Sequence, residues 1–374
     1  MFADARLSEG VDCPPRPPQR LIGWWYQDSG HPVTEAATGR GISIGLIDTG
    51  IGPHPALAHV ASAGAFIDGR HDPDAPIDDV RVHGSSLAGL IGTRLVGGTA
   101  PARGGGAPGA RLIGACVYAS TTGGVSSADV ALAIDHPSSV EKADIINLSV
   151  MADKGSDIVK GAIATAAHRG TICIAAAGNV GQTVLFPVAF DESVAITPIG
   201  RAGWAPSGSV SAQHSPDDAD LHAGGLFAAN FACHFAEVDL CAGGVGVVTT
   251  VPTPDGGGFA ASDGRSLAAP VVCGAVDREG KPDQPGQQPG IGGADPFEKT
   301  HRVRDHLMRL AVPSGSRFDP VAFGKQQHQT CGTVRQGQHV AFDHGAPHLR
   351  VVRRGLWHVG REPSGPGKPR SDLA

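Results

Sequence analysis

Four polar residues stand out by their places at the ends of apolar runs. Asp48 lies in GISIGLIDTG, where an apolar run stops and a Gly turn begins. His83 enters VHGSSLAGLIGT, a segment with the small-residue face of a helix. Asn179 ends TICIAAAGN, and Ser266 opens the small-residue segment SLAAPVVCGAV, with Pro270 in its first turn. Singly, each has a plain structural reading: Asp and Asn are ordinary turn residues, and Ser at a helix start is an ordinary N-cap. Together they offer a different chemistry. A Ser hydroxyl is a poor nucleophile at neutral pH and needs a base within hydrogen-bond reach. An imidazole can be that base, and a carboxylate can fix its tautomer. A side-chain amide beside unpaired helix N–H groups can hold the resulting oxyanion.

The chain order discriminates further. Asp48, His83, Asn179 and Ser266 follow one another at intervals of 35, 96 and 87 residues. An α/β-hydrolase runs Ser, Asp or Glu, His, and a chymotrypsin-like enzyme runs His, Asp, Ser. Neither order is present. Gly50-x-Gly52 is followed by Pro53-His54-Pro55 and not by a third Gly and a helix, so a dinucleotide fingerprint is absent. There is no H-E-x-x-H, and the scattered His read as surface residues, not metal ligands.

The four segments resemble those of the subtilisin-like serine proteases, the subtilases. IDTG resembles that family's Asp motif, HGSSLAG its H-G-T-H-V-A-G, AAAGN its Asn motif and GRSLAAP its G-T-S-M-A-x-P. The resemblance covers roughly residues 40–276, with a weaker echo in RVRDHLMRLAVPSG. It implies a serine endopeptidase that works through an acyl-enzyme, with Asp48, His83 and Ser266 as the triad. The oxyanion would sit between the Asn179 side chain and the Ser266 backbone N–H. A peptide or protein substrate would add as an extended strand between two edges, Gly123-Gly124-Val125 and Ser149-Val150-Met151. Ala176, Ala177 and Gly178 would form the opposite wall of the pocket.

Departures from the family pattern keep two alternatives open: a catalytically weak or inactive peptide-binding module, and an acyl-transfer enzyme using the same triad. Met151 stands where the family usually has Gly, which implies a narrowed pocket and a preference for small residues. Arg265 replaces the usual Thr before the nucleophile. Ser86 replaces the second His of the His motif, and Ala242-Gly243-Gly244 replaces A-P-G.

Elements at the right places must deliver these side chains. Apolar β-type runs occur at Gly41–Ile47, Arg111–Tyr118, Ala143–Ser149, Thr171–Ala176, Ser193–Thr197 and Val245–Val251. Between them the pattern predicts helices at Ser127–Asp135, with Ser127 as N-cap, and at Ser156–Arg169. In the second helix Ile158, Ala162, Ile163 and Ala166 share the inward face and Gly170 is the stop. Alternation of strands and helices with near-continuous apolar strands predicts an α/β fold, a three-layer sandwich around a mostly parallel sheet. A Pro-rich arm at 1–20 precedes a peptidase domain at 21–324. The domain carries a polar insert at 277–299, and an irregular tail occupies 325–374. The helix begun at Ser266 is expected to stop near Val276.

Composition bounds the remaining classes. Hydrophobic residues are 41% and charged residues 18%, which permits a sizeable core. The net charge of −6 argues against a partner held by whole-molecule positive charge, such as nucleic acid. No apolar run approaches the roughly 18 residues of a membrane span. The first 20 residues lack the charged-then-apolar order of a signal peptide, so the expected location is cytoplasmic. Seven cysteines, with no C-x-x-C, read as buried thiols. No cofactor is expected. Subtilases often bind structural calcium through carbonyls, and no ligands for it are assignable from the sequence. The oligomeric state is left open.

Overall fold

The computed structural model describes residues 23–27, 38–94, 104–152, 154–177, 186–215, 221–232, 238–253 and 257–275. The arm at 1–20, the insert at 277–299 and the tail at 325–374 lie outside the described residues.

The described residues build one large sheet and one hairpin. The strands are β1 (Ser43–Asp48), β2 (Ala61–Ile67), β3 (Arg70–Asp72), β4 (Arg111–Cys116), β5 (Ile145–Leu148), β6 (Ile172–Ala176), β7 (Ser193–Arg201), β8 (Leu226–Ala228), β9 (Leu240–Gly243), β10 (Val247–Val251) and β11 (Gly258–Ser262). The helices are α1 (Trp24–Gln27), α2 (His83–Gly92), α3 (Ser127–Ser139), α4 (Asp157–His168) and α5 (Ala268–Ala275). The sheet order is β3-β2-β4-β1-β5-β6-β7-β8, and β9 also pairs with β7. From β2 to β7 every pairing is parallel, as is β7 with β9; β3 and β8 run antiparallel. β10 and β11 form a separate antiparallel hairpin.

The central strands are apolar on both faces because both faces are covered. In β1, Ile44 and Leu46 enter one core layer and Ile47 enters the other. In β5, Ile145 goes to the first and Ile146 and Leu148 to the second; in β6, Ile172 and Ile174 oppose Cys173 and Ala175. This is the period of two expected of a strand. Helices α2 and α5 fill the first layer with Leu87, Leu90, Ile91, Val271 and Val272, and α3 and α4 fill the second with Val130, Ile134 and Ile163. Each such side chain contributes about 1.5–3 kcal/mol of transfer free energy.

Three local expectations are corrected. The N-cap of α3 is Ser126, whose hydroxyl accepts the Asp129 N–H at 3.1 Å, and not Ser127. In α4, Ile158 is 62% exposed and Val159 is buried in its place, so the inward face runs through Val159, Ile163, Ala166 and Ala167. The run Val245–Val251 forms β10, which belongs to the hairpin rather than the sheet. The reason lies in its threonines: the hydroxyls of Thr249 and Thr250 donate to the backbone carbonyls of Ser86 and Ser85 in α2, the latter at 2.7 Å. Gly89 makes that crossing close; a Cβ there would meet the Thr250 Oγ1 at 2.2 Å.

Cys116, Cys173 and Cys273 are buried and Cys241 is half-buried; none of these four is in a disulfide. Burial pushes the Cys173 thiol up to about 12. Among the described residues no helix is long and apolar enough to cross a membrane. Among them, too, no group of three or more His, Cys, Asp or Glu is placed to hold a metal ion.

Candidate active site

Open parallel sheets gather functional groups at the carboxyl ends of their strands. Asp48 is the last residue of β1, at the centre of the sheet, and is only 2% exposed. His83 is the first residue of α2, which packs on the first core layer. Its Nδ1 donates to Asp48 Oδ1 at 2.6 Å. That bond fixes the tautomer: the proton sits on Nδ1, and Nε2 keeps its lone pair. Burial disfavours the His83 imidazolium. The charge and hydrogen bond of Asp48 act against that, with a smaller push from Asp79, and Arg81 opposes them. The balance raises the pKa of His83 above its ordinary value.

A second carboxylate, which the motifs do not single out, supports this pair. Asp79 Oδ1 accepts the Thr49 hydroxyl at 2.7 Å and the Arg81 N–H at 3.0 Å, and its Oδ2 accepts the Ser85 N–H at 2.7 Å. Thr49 also donates its N–H to Asp48 Oδ1 at 2.8 Å, and its Oγ1 accepts the Gly84 N–H at 2.9 Å. The first turn of α2 is thus pinned to the end of β1 through Thr49 and Asp79. The signal in the sequence would have been an Asp four residues upstream of His83, the usual kind of helix-start carboxylate.

Ser266 occupies a short 3-10 turn, Arg265–Leu267, that runs directly into α5. α2 packs against this turn, so His83 and Ser266 begin neighbouring elements. The turn is anchored from two sides. The Ser149 hydroxyl, just past β5, donates to the Ser266 carbonyl at 3.2 Å and accepts from Asn147 Nδ2 at 3.0 Å. Asp263 accepts the Gly246 N–H at 2.7 Å and the Ser211 hydroxyl at 2.9 Å, and the Gly264 N–H donates to Gly244 O at 2.8 Å. Among the described residues, no hydrogen bond joins the Ser266 hydroxyl to the His83 ring. Arg265 is buried at 7% exposure within the turn. Ser86, on the second turn of α2, is buried, its hydroxyl within hydrogen-bond distance of Val82 O and Thr250 O.

The remaining expected residues fall into three groups. Gly123 and Gly124 are exposed and Val125 is half-buried, in the loop between β4 and α3. Ser149 and Val150 are buried and Met151 is half-buried, in the loop after β5. Met151 and Val150 line a cleft of about 60 Å³ together with Val125, Val130, Val159 and Phe186. Ala176 and Ala177, at the end of β6, are each 1% exposed, with their methyl groups packed into the two core layers. Gly178 and Asn179 lie outside the described residues.

The sequence pattern of the subtilase family matches residues 39–315. The thermophilic serine proteinase of Bacillus sp. (strain AK1) is 29% identical over 252 residues, which span 67% of this chain and 54% of that protein. Subtilisin Savinase of Lederbergia lenta is 26% identical over 283 residues, 75% of this chain and 86% of that protein. Thus the chain spans little more than half of one relative and most of the other. Among solved structures, fervidolysin from Fervidobacterium pennivorans superposes with a TM-score of 0.54 at 22% identity, over 67% of this chain and 38% of that one. A protease from Pseudoalteromonas arctica gives 0.51 at 23% identity, over 66% and 83%. Likeness at that level of identity speaks to the fold: a mixed α/β sandwich on a mostly parallel sheet.

Proposed function

The chain belongs to the subtilase family, and we propose that it is a serine endopeptidase whose triad is Asp48, His83 and Ser266. The observation that carries the assignment is the 2.6 Å bond from His83 Nδ1 to the buried Asp48. It leaves Nε2 as the basic atom of a ring at the head of a helix that packs on the Ser266 turn.

In this reading His83 Nε2 takes the proton of the Ser266 hydroxyl as Oγ attacks the scissile carbonyl. Asp48 stabilises the imidazolium that forms. The same ring then gives its proton to the leaving amine, and an acyl-enzyme remains. Water, deprotonated by His83, hydrolyses it. The Ser–His hydrogen bond forms on substrate binding, as such bonds commonly tighten only in the Michaelis complex. The Ser266 backbone N–H and the Asn179 amide would hold the oxyanion, the former aided by the positive end of the helix dipole that begins there. The substrate is an extended peptide or protein segment, paired to residues 123–125 on one side and 149–151 on the other.

The test is covalent labelling with a fluorophosphonate. The wild-type chain is expected to take up one label per molecule, and Ser266→Ala, with an unchanged melting curve, none. Folded wild-type protein that stays unlabelled would overturn the reading.

A further inference from the structure

We propose that Arg81 is a positioning residue that clamps residues 119–125, one edge of the substrate cleft, to the loop that carries His83; the inference rests on the endopeptidase reading above. The Arg81 guanidinium donates from Nη2 to Gly123 O at 2.7 Å and to Ser120 O at 3.2 Å, and from Nε to Ser120 O at 3.3 Å. Its Cζ lies over the Tyr118 ring, 4.4 Å from the ring centre. A planar fork that satisfies two carbonyls while lying over an aromatic ring is a geometry that lysine cannot reproduce.

The edge needs this support. Among the described residues, the hydrogen bonds that join residues 119–125 to any other element all come from Arg81. The edge is also soft in itself: Gly123 has φ +101°, and a Cβ added at Gly123 or Gly124 would meet nothing within 4 Å. The open space over both glycines is where a peptide strand would lie. Gly123 O keeps a second lone pair after accepting from Arg81, so the clamp does not block pairing.

The other end of the clamp is firm. The Arg81 N–H donates to Asp79 at 3.0 Å, and the Ser85 N–H donates to the same carboxylate at 2.7 Å. Between them Val82 is held at φ +64°, a left-handed conformation that a β-branched residue resists. That turn separates the directions of two neighbours in sequence: Arg81 reaches the substrate edge, and His83 reaches Asp48. One loop therefore positions both the base and one wall of the cleft.

The experiment compares two substrates on the full chain, an acyl-tetrapeptide anilide that spans the edge and a single-residue acyl ester that does not. Arg81→Ala is expected to raise KM for the tetrapeptide about tenfold, equivalent to about 1.4 kcal/mol, with a much smaller fall in kcat. KM for the ester should rise by no more than about twofold on the same scale. Arg81→Lys keeps the charge but not the fork, and its tetrapeptide KM is expected to fall between the two. Fluorophosphonate labelling and the melting curve report that each variant retains its serine centre and its fold. A labelled, folded Arg81→Ala with wild-type KM for the tetrapeptide would overturn the clamp alone. So would equal losses on both substrates, or full recovery in Arg81→Lys, which is also the deciding variant if Arg81→Ala fails to fold. A wild-type chain that neither labels nor cleaves would overturn the endopeptidase reading and the clamp with it.

Discussion

Asp79 does two things at once, and they can be separated by charge. As an acceptor it caps the first turn of α2 through the Ser85 N–H and holds Thr49 against the end of β1. As an anion it adds to the field of Asp48 and favours the His83 imidazolium. Asp79→Asn keeps the size and one acceptor oxygen but removes the charge. The sign follows directly. In the proposed mechanism His83 must be neutral to act as base, so kcat/KM is expected to fall as pH drops through its raised pKa. Without the Asp79 charge that pKa falls, and the acid limb of the pH–rate profile moves to lower pH. Arg81→Gln removes a cation that works against the imidazolium, so its limb moves to higher pH. Opposite displacements of the two limbs, measured as kcat/KM against pH, would match this account; a uniform drop in rate without displacement would leave Asp79 as a cap only. The lost bonds should also reduce stability by about 1–3 kcal/mol in Asp79→Asn.

At the scale of elements, the β2–β3 hairpin rests on α3 through a cluster of three rings, Phe66 stacked on His71 and His136 tilted against both. Phe66 and His71 are parallel at 4.2 Å, and the His71 and His136 centroids are 4.4 Å apart. His71 Nε2 donates to Ala63 O at 2.8 Å. Burial and the neighbouring His71 lower the His136 pKa, against upward pushes from Glu141 and Asp135. A His held neutral in the fold contributes stability that is present above its ordinary pKa and is lost as pH falls through the depressed value. His136→Phe keeps a ring in the cluster but cannot be protonated. Its melting temperature is therefore expected to fall less than that of the wild type between pH 7.5 and pH 5. An identical pH dependence in both would show that the cluster does not sense protonation.

These elements also mark what the sequence made visible. β1, β4, β5 and β6 were legible because burial on both faces leaves an unbroken apolar run. β2 (ASAGAFI) is rich in Ala and Gly, and β3, β8 and β9 are three or four residues long, so no run betrays them. Ile158 misled for another reason: it and Val159 are adjacent on α4, and periodicity alone does not say which of two apolar neighbours faces the sheet. In the candidate site, Asp48, His83 and Ser266 drew attention in the sequence because each lies where an apolar or small-residue run begins or ends, and the structure places Asp48 at the end of β1, His83 at the start of α2 and Ser266 in the turn that leads into α5. Thr49, Asp79 and Arg81 were not, since they act by hydrogen bonds across loops, which leave no period. The expectation for Gly178 and Asn179 falls on residues beyond those described.

For the molecule as a whole, the decisive fact is that one sheet serves two cores. β1, β5 and β6 each give alternate side chains to both layers, so neither layer can be lost without releasing the strands that hold the other. The elements of the proposed triad inherit that coupling, because Asp48 ends β1, while α2 and α5 lie in the first layer and Ser149 follows β5. The tryptophans allow a direct check. Trp24 and Trp25 are buried in the first layer, and Trp204 packs edge-on against Trp25 at 5.7 Å. Ile163 lies in the second layer, on α4, at 0% exposure. Ile163→Ala is expected to cost about 2–5 kcal/mol and to lower the melting temperature by roughly 4–20 °C. If the two layers unfold as one unit, indole fluorescence and far-ultraviolet circular dichroism should report the same lowered midpoint, although the substitution is across the sheet from Trp24 and Trp25. A fluorescence midpoint that stays at the wild-type value while the dichroism midpoint falls would mean that the layer carrying α2 and α5 stands without the other, and that the proposed triad does not depend on the fold as a single unit.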